Sequence, residues 1–594
     1  MKRSLTLLAF LTLLLCFILV FSSCDQSTDT SSNTDTVSDT ETDGDGKHTH
    51  TEEIIPAVPA SCTETGLTEG KKCSECNEIL VAQTKVDALG HSFDSNFSCS
   101  VCGYVDETKY SVGLSFELDE ATNTYTVAGR GDCTDTEIII PPFYKGLPVA
   151  AIGDSAFEYN ARITSVVLPN SVSKINGSAF SDCENLTSIT LGNGILSIGQ
   201  YAFSDCSKLT SVNYTGSLAE WCKISFTDTL SNPLKEANDL YINGEKISEL
   251  VIPDEITEIK PYSFMGGSFT SVNIHGNVKA IRNHAFSRAS ISSVTIGNGV
   301  KTIEHSAFSF CTNLTDVTIP ASVTEIGINP FGPCSKLTDI IVSEENDCFK
   351  SIDGVLYSKN GDTLIQYPAG KPDTEYTIPD GVVAIKELAF HTCKNLTKIS
   401  VPNSVTELGD SAFLLCTSLK YNDYSNAYYL GNDENPYIIL IKAKTTSLPS
   451  CAINENTKHI YTGAFAVCES IFDFDIPSGV LSIGSSAFSG CYMLQSIKLP
   501  ESVRYIGDSA FSGCYGLTSV EIPASVISIG SGAFTNCIRL KSLTFADTSN
   551  WFCINIEDPT SEGTPIDVTN PESNAQNQIS PPYSYSRDYY WCKK

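Results

Sequence analysis

The apolar positions of this chain return at a fixed interval. Between Leu494 and Cys537 two segments, LQSIKLPESVRYIGDSAFSGC and YGLTSVEIPASVISIGSGAFTNC, superpose at an offset of 23 residues. Leu494, Ile497, Leu499, Val503, Ile506, Phe511 and Cys514 then fall on Leu517, Val520, Ile522, Val526, Ile529, Phe534 and Cys537. The phenylalanine of the pattern recurs at 157, 180, 203, 264, 286, 308, 331, 390, 413, 465, 488, 511 and 534. Most gaps are 22 or 23 residues; the three longer ones, 203 to 264, 331 to 390 and 413 to 465, predict insertions or worn repeats. A period in the low twenties with one short strand per unit predicts a solenoid.

In Thr518 to Pro523, apolar Val520 and Ile522 alternate with polar Ser519 and Glu521, which predicts a strand with one buried face. Pro523 ends it, having no N–H to donate. Val526 and Ile529 are expected to turn inward on the next side, and Gly530 to supply a permissive corner. Ala533, Phe534 and Cys537 are expected to pack on the third side in a turn or a single helical coil. Roughly six to eight apolar side chains per coil, at about 1.5–3 kcal/mol each, cannot be buried by one unit alone. The coils must therefore stack, and both ends of the stack need caps.

The recurring L-x2-I-x-[IL]-P-x2-V-x2-I-G-x2-A-F-x2-C unit resembles the BspA-like leucine-rich repeats of bacterial cell-surface proteins over about residues 150 to 550. The resemblance implies a mainly β fold: a leucine-rich-repeat solenoid of about 23-residue coils with short strands, turns or short helices, hairpin insertions and end caps. It also implies a surface adhesin or binding protein, and leaves the ligand open because a fold does not carry an activity.

Outside the repeats, the chain begins Lys2-Arg3, runs apolar from Leu5 to Phe21, and reaches Ser22-Ser23-Cys24. This predicts a lipoprotein signal over 1–23 with Cys24 as the lipidated first mature residue; an uncleaved anchor helix is the alternative. Both place the remainder outside the cytoplasm. Residues 24–47 are Ser-, Thr- and Asp-rich and predict an unfolded acidic tether. A small Cys/His module is expected over 48–104 and a β cap over 105–148. The repeats follow over 149–546, with insertions near 207–250, 338–375 and 417–455, and a cap or tail over 547–594. Asn243-Gly244 and Asn360-Gly361, each between apolar residues, predict two-residue hairpin turns, and a third hairpin is expected from Tyr428 to Ile441. These either patch the sheet between repeat blocks or grip a partner. No LPxTG string follows the repeats, so attachment is expected from the amino end.

The module offers His48, His50, Cys62, Cys73, Cys76, His91, Cys99 and Cys102 as metal ligands. Two C-x2-C knuckles with nearby histidines suit tetrahedral structural zinc, in two four-coordinate sites or in one with spare residues. Disulfides are the alternative in an exported chain. No H-E-x-x-H pattern supplies a general base for a catalytic zinc. No cofactor is expected in the repeats.

Ten cysteines stand three residues after the repeat phenylalanine, at 183, 206, 311, 334, 393, 416, 468, 491, 514 and 537. They occupy one inward slot, so they are expected to be reduced packing residues rather than disulfides. His275, His284, His305, His391 and His459 occupy different phases of the repeat and are expected at the surface or in turns, without a cluster. The chain holds no G-x-S-x-G, P-loop or Rossmann glycine run. A formal net charge of −31 over 594 residues opposes binding to nucleic acid or anionic lipid through the protein surface. The resulting expectation is a membrane-anchored extracellular protein that binds a protein or polysaccharide through its repeats. A structural envelope protein without a specific ligand is the alternative, and a metal-dependent enzyme the least favoured.

Overall fold

The computed structural model describes residues 49–92, 99, 101–102, 104, 106–447, 449–555, 563–577 and 589–594. The expected signal segment, Cys24, the acidic tether and His48 lie outside them. The chain divides into two compact units, Met1–Gly90 and His91–Lys594, so the module expected at 48–104 is shared between the two.

One coil of the second unit accounts for the rest. Ser519–Ile522 is a strand whose Val520 and Ile522 are buried while Ser519 and Glu521 are exposed. Pro523 stops it; the Val526 N–H then closes a turn onto the Pro523 carbonyl at 3.1 Å, and the chain enters a second strand, Ser528–Ile529. At the next corner a Cβ on Gly530 would meet the backbone nitrogen of Asp508 in the neighbouring coil at 2.4 Å, so only glycine fits. The third side is a turn rather than a helix. Alternate N–H groups there bond to the next coil: Ser509 to Ser531 (2.9 Å), Phe511 to Ala533 (2.7 Å) and Gly513 to Thr535 (2.8 Å). Left-handed backbone at Ser509 (φ 53°) and Gly513 (φ 73°) aims these groups along the stack.

The coils pile up in parallel register. Ser519, Val520, Glu521 and Ile522 pair with Ser542, Leu543, Thr544 and Phe545, and Ser528–Ile529 pairs with Tyr505–Ile506. The repeat phenylalanines form a column of near-parallel rings, with centroids 5.3 Å apart for Phe488–Phe511 and 5.2 Å for Phe511–Phe534. The same column runs through Phe157–Phe180 (5.3 Å) and Phe286–Phe308 (5.1 Å). In the long gap after Phe331, Tyr367 takes the slot and stacks on Phe390 at 5.4 Å, which identifies a worn repeat.

The ten repeat cysteines are free, buried thiols, as their shared slot implies. Eight of them donate Sγ–H to the carbonyl of the phenylalanine one coil back, at 2.9–3.3 Å, as Cys514 does to Phe488. Each thiol therefore satisfies a carbonyl on a side of the coil where serine would be harder to desolvate.

The ends and insertions close the ladders. Ser115–Asp119 and Thr124–Gly129 form an antiparallel hairpin whose second strand pairs in parallel with Leu147–Ile152, starting one ladder; Glu137–Ile139 starts the other against Ser165–Val167. At the far end Tyr589–Lys593 pairs antiparallel with Ser528–Ile529 and with Trp551–Asn555, and Trp551 and Trp591 lie against Phe545. The three expected hairpins form: Tyr241 pairs with Lys246, Val355–Ser358 with Thr363–Gln366, and Ala427–Leu430 with Ile439–Ala443. The expected two-residue turn holds at Asn243-Gly244, but the second hairpin closes through the four residues 359–362, with Gly361 left-handed and Asn360 not. The last two continue in parallel into the next coils, so they patch the sheet between blocks. The buried side chains accordingly form three successive cores, from Leu114 to Leu356, Val355 to Ile441 and Ala427 to Trp591.

Two expectations about histidine are corrected. His459 is fully buried, with Nδ1 2.8 Å from the Ser482 hydroxyl and Nε2 3.4 Å from the Val405 carbonyl, because it stands in an inward-packed two-residue strand, His459–Ile460. His284 and His305 meet edge to face at 5.2 Å, since a 21-residue spacing places both on the same corner of successive coils.

The first unit is built differently. Glu52–Ile55, Gly70–Cys73 and Ile79–Val81 make a three-stranded antiparallel sheet, and Gly66–Leu67 pairs with Lys85–Val86.

Candidate functional site

In the first unit the pairing of Glu52 with Cys73 brings the chain just before that strand beside the Cys73-x2-Cys76 turn. The Ser74 N–H bonds to the Thr51 carbonyl at 2.9 Å and holds His50 there. The turn itself is a knuckle: Cys73 N–H bonds to Glu78 O at 2.8 Å, Asn77 N–H to Cys73 O at 2.9 Å, and Asn77 is left-handed (φ 61°). Donor atoms of His50, Cys73 and Cys76 lie within 4.8 Å of one another, with His50 Nδ1 3.5 Å from Cys76 Sγ. Cys62 is buried elsewhere in this unit.

The second unit repeats the device. Cys99 N–H bonds to Tyr104 O at 2.7 Å, and donors of His91, Cys99 and Cys102 also lie within 4.8 Å of one another. His91 Nδ1 stands 3.4 Å from Cys102 Sγ and its ring stacks on Tyr104 at 4.6 Å. The backbone N–H of Cys102, then the His91 imidazole and the Val101 N–H, draw the Cys99 thiol down to about 5, which favours the thiolate.

A second candidate lies on the long-strand face of the repeats, where no sequence motif marks it. Asp473–Asp475 and Ser496–Lys498 pair in parallel, but the preceding segment, Ser450 to Ile453, forms no strand. The missing strand leaves a groove of about 850 Å³ against Asp473, Asp475, Ser478, Lys498 and Glu501. On the other side of the 427–443 hairpin, a groove of about 410 Å³ is lined by Glu375, Lys398, Lys420, Asn432 and Asp433. The third hairpin thus interrupts the ladder and is flanked by two polar concavities. The only sequence hint was the long gap from Phe413 to Phe465.

The repeat unit and its coil match the BspA type leucine rich repeat region, in six copies, over residues 150–238, 235–354, 371–433 and 443–554. The chain belongs to that family. No curated protein matches the sequence. Among solved structures, this BspA-type chain is similar to a leucine-rich cell-surface protein from Faecalibacterium prausnitzii, at 26% identity over 81% of this chain and 98% of that one, with a TM-score of 0.37. It is also similar to a leucine-rich-repeat protein from Bacteroides ovatus (23% identity, 73% of this chain, 98% of that one, TM-score 0.33) and to the pneumococcal vaccine antigen PcpA (18%, 74%, 87%, TM-score 0.28). The family assignment rests on the repeat match and not on these superpositions.

Proposed function

We propose that this BspA-type protein is a binding protein of the cell surface, anchored through Cys24 and presenting its repeats to a protein or polysaccharide. The observation that carries the reading is the 850 Å³ groove where the long-strand ladder is broken beside the third hairpin. It offers hydrogen-bonding side chains on a rigid scaffold, in a family whose stacked coils provide extended surfaces. Three carboxylates, Asp473, Asp475 and Glu501, face one ammonium, Lys498, so the groove disfavours anionic ligands and suits neutral glycans or basic protein segments. Binding rather than catalysis also agrees with the buried histidine, since His459 is engaged on both ring nitrogens in packing the stack.

The test is an array of glycans and surface proteins probed with the intact protein and with the Asp473→Lys/Asp475→Lys/Glu501→Lys variant. Capture by the first and loss in the second is the expected result. Capture by neither favours a structural envelope protein, and equal capture by both moves the site off this groove. Lipidation at Cys24 is checked by metabolic labelling with palmitate, which Cys24→Ala should abolish.

A further inference from the structure

The first unit lacks what holds the repeats together. Among residues 49–90 the buried hydrophobic side chains are Cys62 and Cys73, while Ile54, Val58, Ile79, Val81 and Leu89 are 48–64% exposed. A segment of about 40 residues without an apolar core does not stay folded by burial and needs a covalent or metal staple.

We propose that His50, Cys73 and Cys76 bind a structural zinc ion that holds the first unit together, with Glu78 positioning the histidine. A tetrahedral site with Zn–S of about 2.3 Å and Zn–N of about 2.05 Å has an N···S edge of about 3.5 Å. The measured separation of His50 Nδ1 from Cys76 Sγ is 3.5 Å. The other ring nitrogen, His50 Nε2, lies 3.4 Å from Glu78 Oε2, which favours the tautomer that leaves the Nδ1 lone pair toward the cysteines. A disulfide between Cys73 and Cys76 gives no role to this imidazole–carboxylate pair, whereas metal binding uses all three groups. The knuckle fold and the histidine-to-second-cysteine spacing recur at His91, Cys99 and Cys102, so the arrangement is a built one rather than a chance approach.

Binding balances in charge: two thiols release their protons, two thiolates offset the dication, and the imidazole stays neutral. The site closes the sheet by fastening the segment before Glu52–Ile55 to the turn after Gly70–Cys73. No step depends on the grooves of the repeats.

The experiment compares the full chain with its Cys73→Ser/Cys76→Ser and Glu78→Gln variants. Zinc is counted by elemental analysis and hydrogen exchange is followed in residues 49–90 with and without chelator. The proposal expects the double variant to hold one zinc fewer than the parent. It expects chelation to remove protection in residues 49–90 while exchange in the repeats is unchanged. Glu78→Gln should keep the stoichiometry and weaken zinc affinity about 10-fold in chelator competition, a change that a purely packing role for Glu78 would not give. Cobalt in place of zinc should show thiolate charge-transfer bands that weaken in the double variant. Equal zinc content in parent and double variant overturns the proposal, as does a Cys73–Cys76 disulfide in the peptide map or protection of residues 49–90 that survives chelation.

Discussion

Replacing Phe511 with alanine tests the stacking directly. The ring is fully buried between Phe488 at 5.3 Å and Phe534 at 5.2 Å, and its backbone N–H and C=O are bonded to the next coil regardless of side chain. The main-chain ladders therefore survive the change, and the loss is that of the ring. A buried Phe→Ala change costs about 3–5 kcal/mol through lost transfer energy and the residual cavity. Two ring-on-ring contacts, each about 0.5–1.5 kcal/mol beyond burial, bring the total to roughly 4–8 kcal/mol. Because each coil touches only its neighbours, the damage should stay within the third core, from Ala427 to Trp591. Urea unfolding read by hydrogen exchange separates the blocks: coils around 480–545 should lose protection while those of 157–342 keep theirs. A loss below about 1.5 kcal/mol, or an equal loss of protection along the whole solenoid, refutes the nearest-neighbour reading.

Other consequences follow from the same packing. Burial pushes the thiols of Cys183, Cys491 and Cys537 up to about 12, so only about one in 10⁴ is ionised at pH 8, and alkylating reagents should label them in denaturant but not in the native protein. His459 is held down at about 4 by burial, whereas the unfolded residue titrates near 6.5. The unfolded chain takes up the proton first, so stability falls as pH drops from about 6.5 to 4, by up to about 3 kcal/mol from this residue. His459→Gln should flatten that part of the stability–pH curve, and an unchanged slope contradicts the burial. Glu387 acts with the opposite sign: burial, then Asp410 and Asp508, raise it to about 7, so the folded state keeps a proton that the unfolded state has lost. Its contribution falls as pH rises through 7, and Glu387→Gln should stabilise the protein at pH 8 by about 1–2 kcal/mol after allowance for solvent screening, measured by urea midpoint.

Much of the fold was legible because each coil writes its own geometry. The alternation in Ser519–Ile522, Pro523 as a stop and the phenylalanine column predicted strands, corners and stacking, and the Asn-Gly pairs predicted hairpins. The finer devices left weaker traces. The thiol-to-carbonyl bonds span 25 or 26 residues and depend on the rise between coils, which no local pattern encodes. Tyr367 occupies a phenylalanine slot while the surrounding repeat has lost its other landmarks. A short helix at Leu218–Trp221, inside the first long gap, is marked by Ser217 and Glu220 three residues apart, a capping box that has no counterpart in the 23-residue period. The groove at Ser450 to Ile453 arises from a strand that fails to form, and the absence of a strand has no motif. The knuckle cysteines stood out by spacing, but the role of Glu78 needed the turn that carries it beside His50.

The most direct test of the binding account is a hydrogen-exchange footprint of the intact protein with and without a captured ligand. Added protection should fall on Ser450 to Ile453, Asp473 to Ser478 and Lys498 to Glu501, the walls of the broken ladder. Protection confined to the turn side that carries Phe488, Phe511 and Phe534, with those walls unchanged, would contradict it.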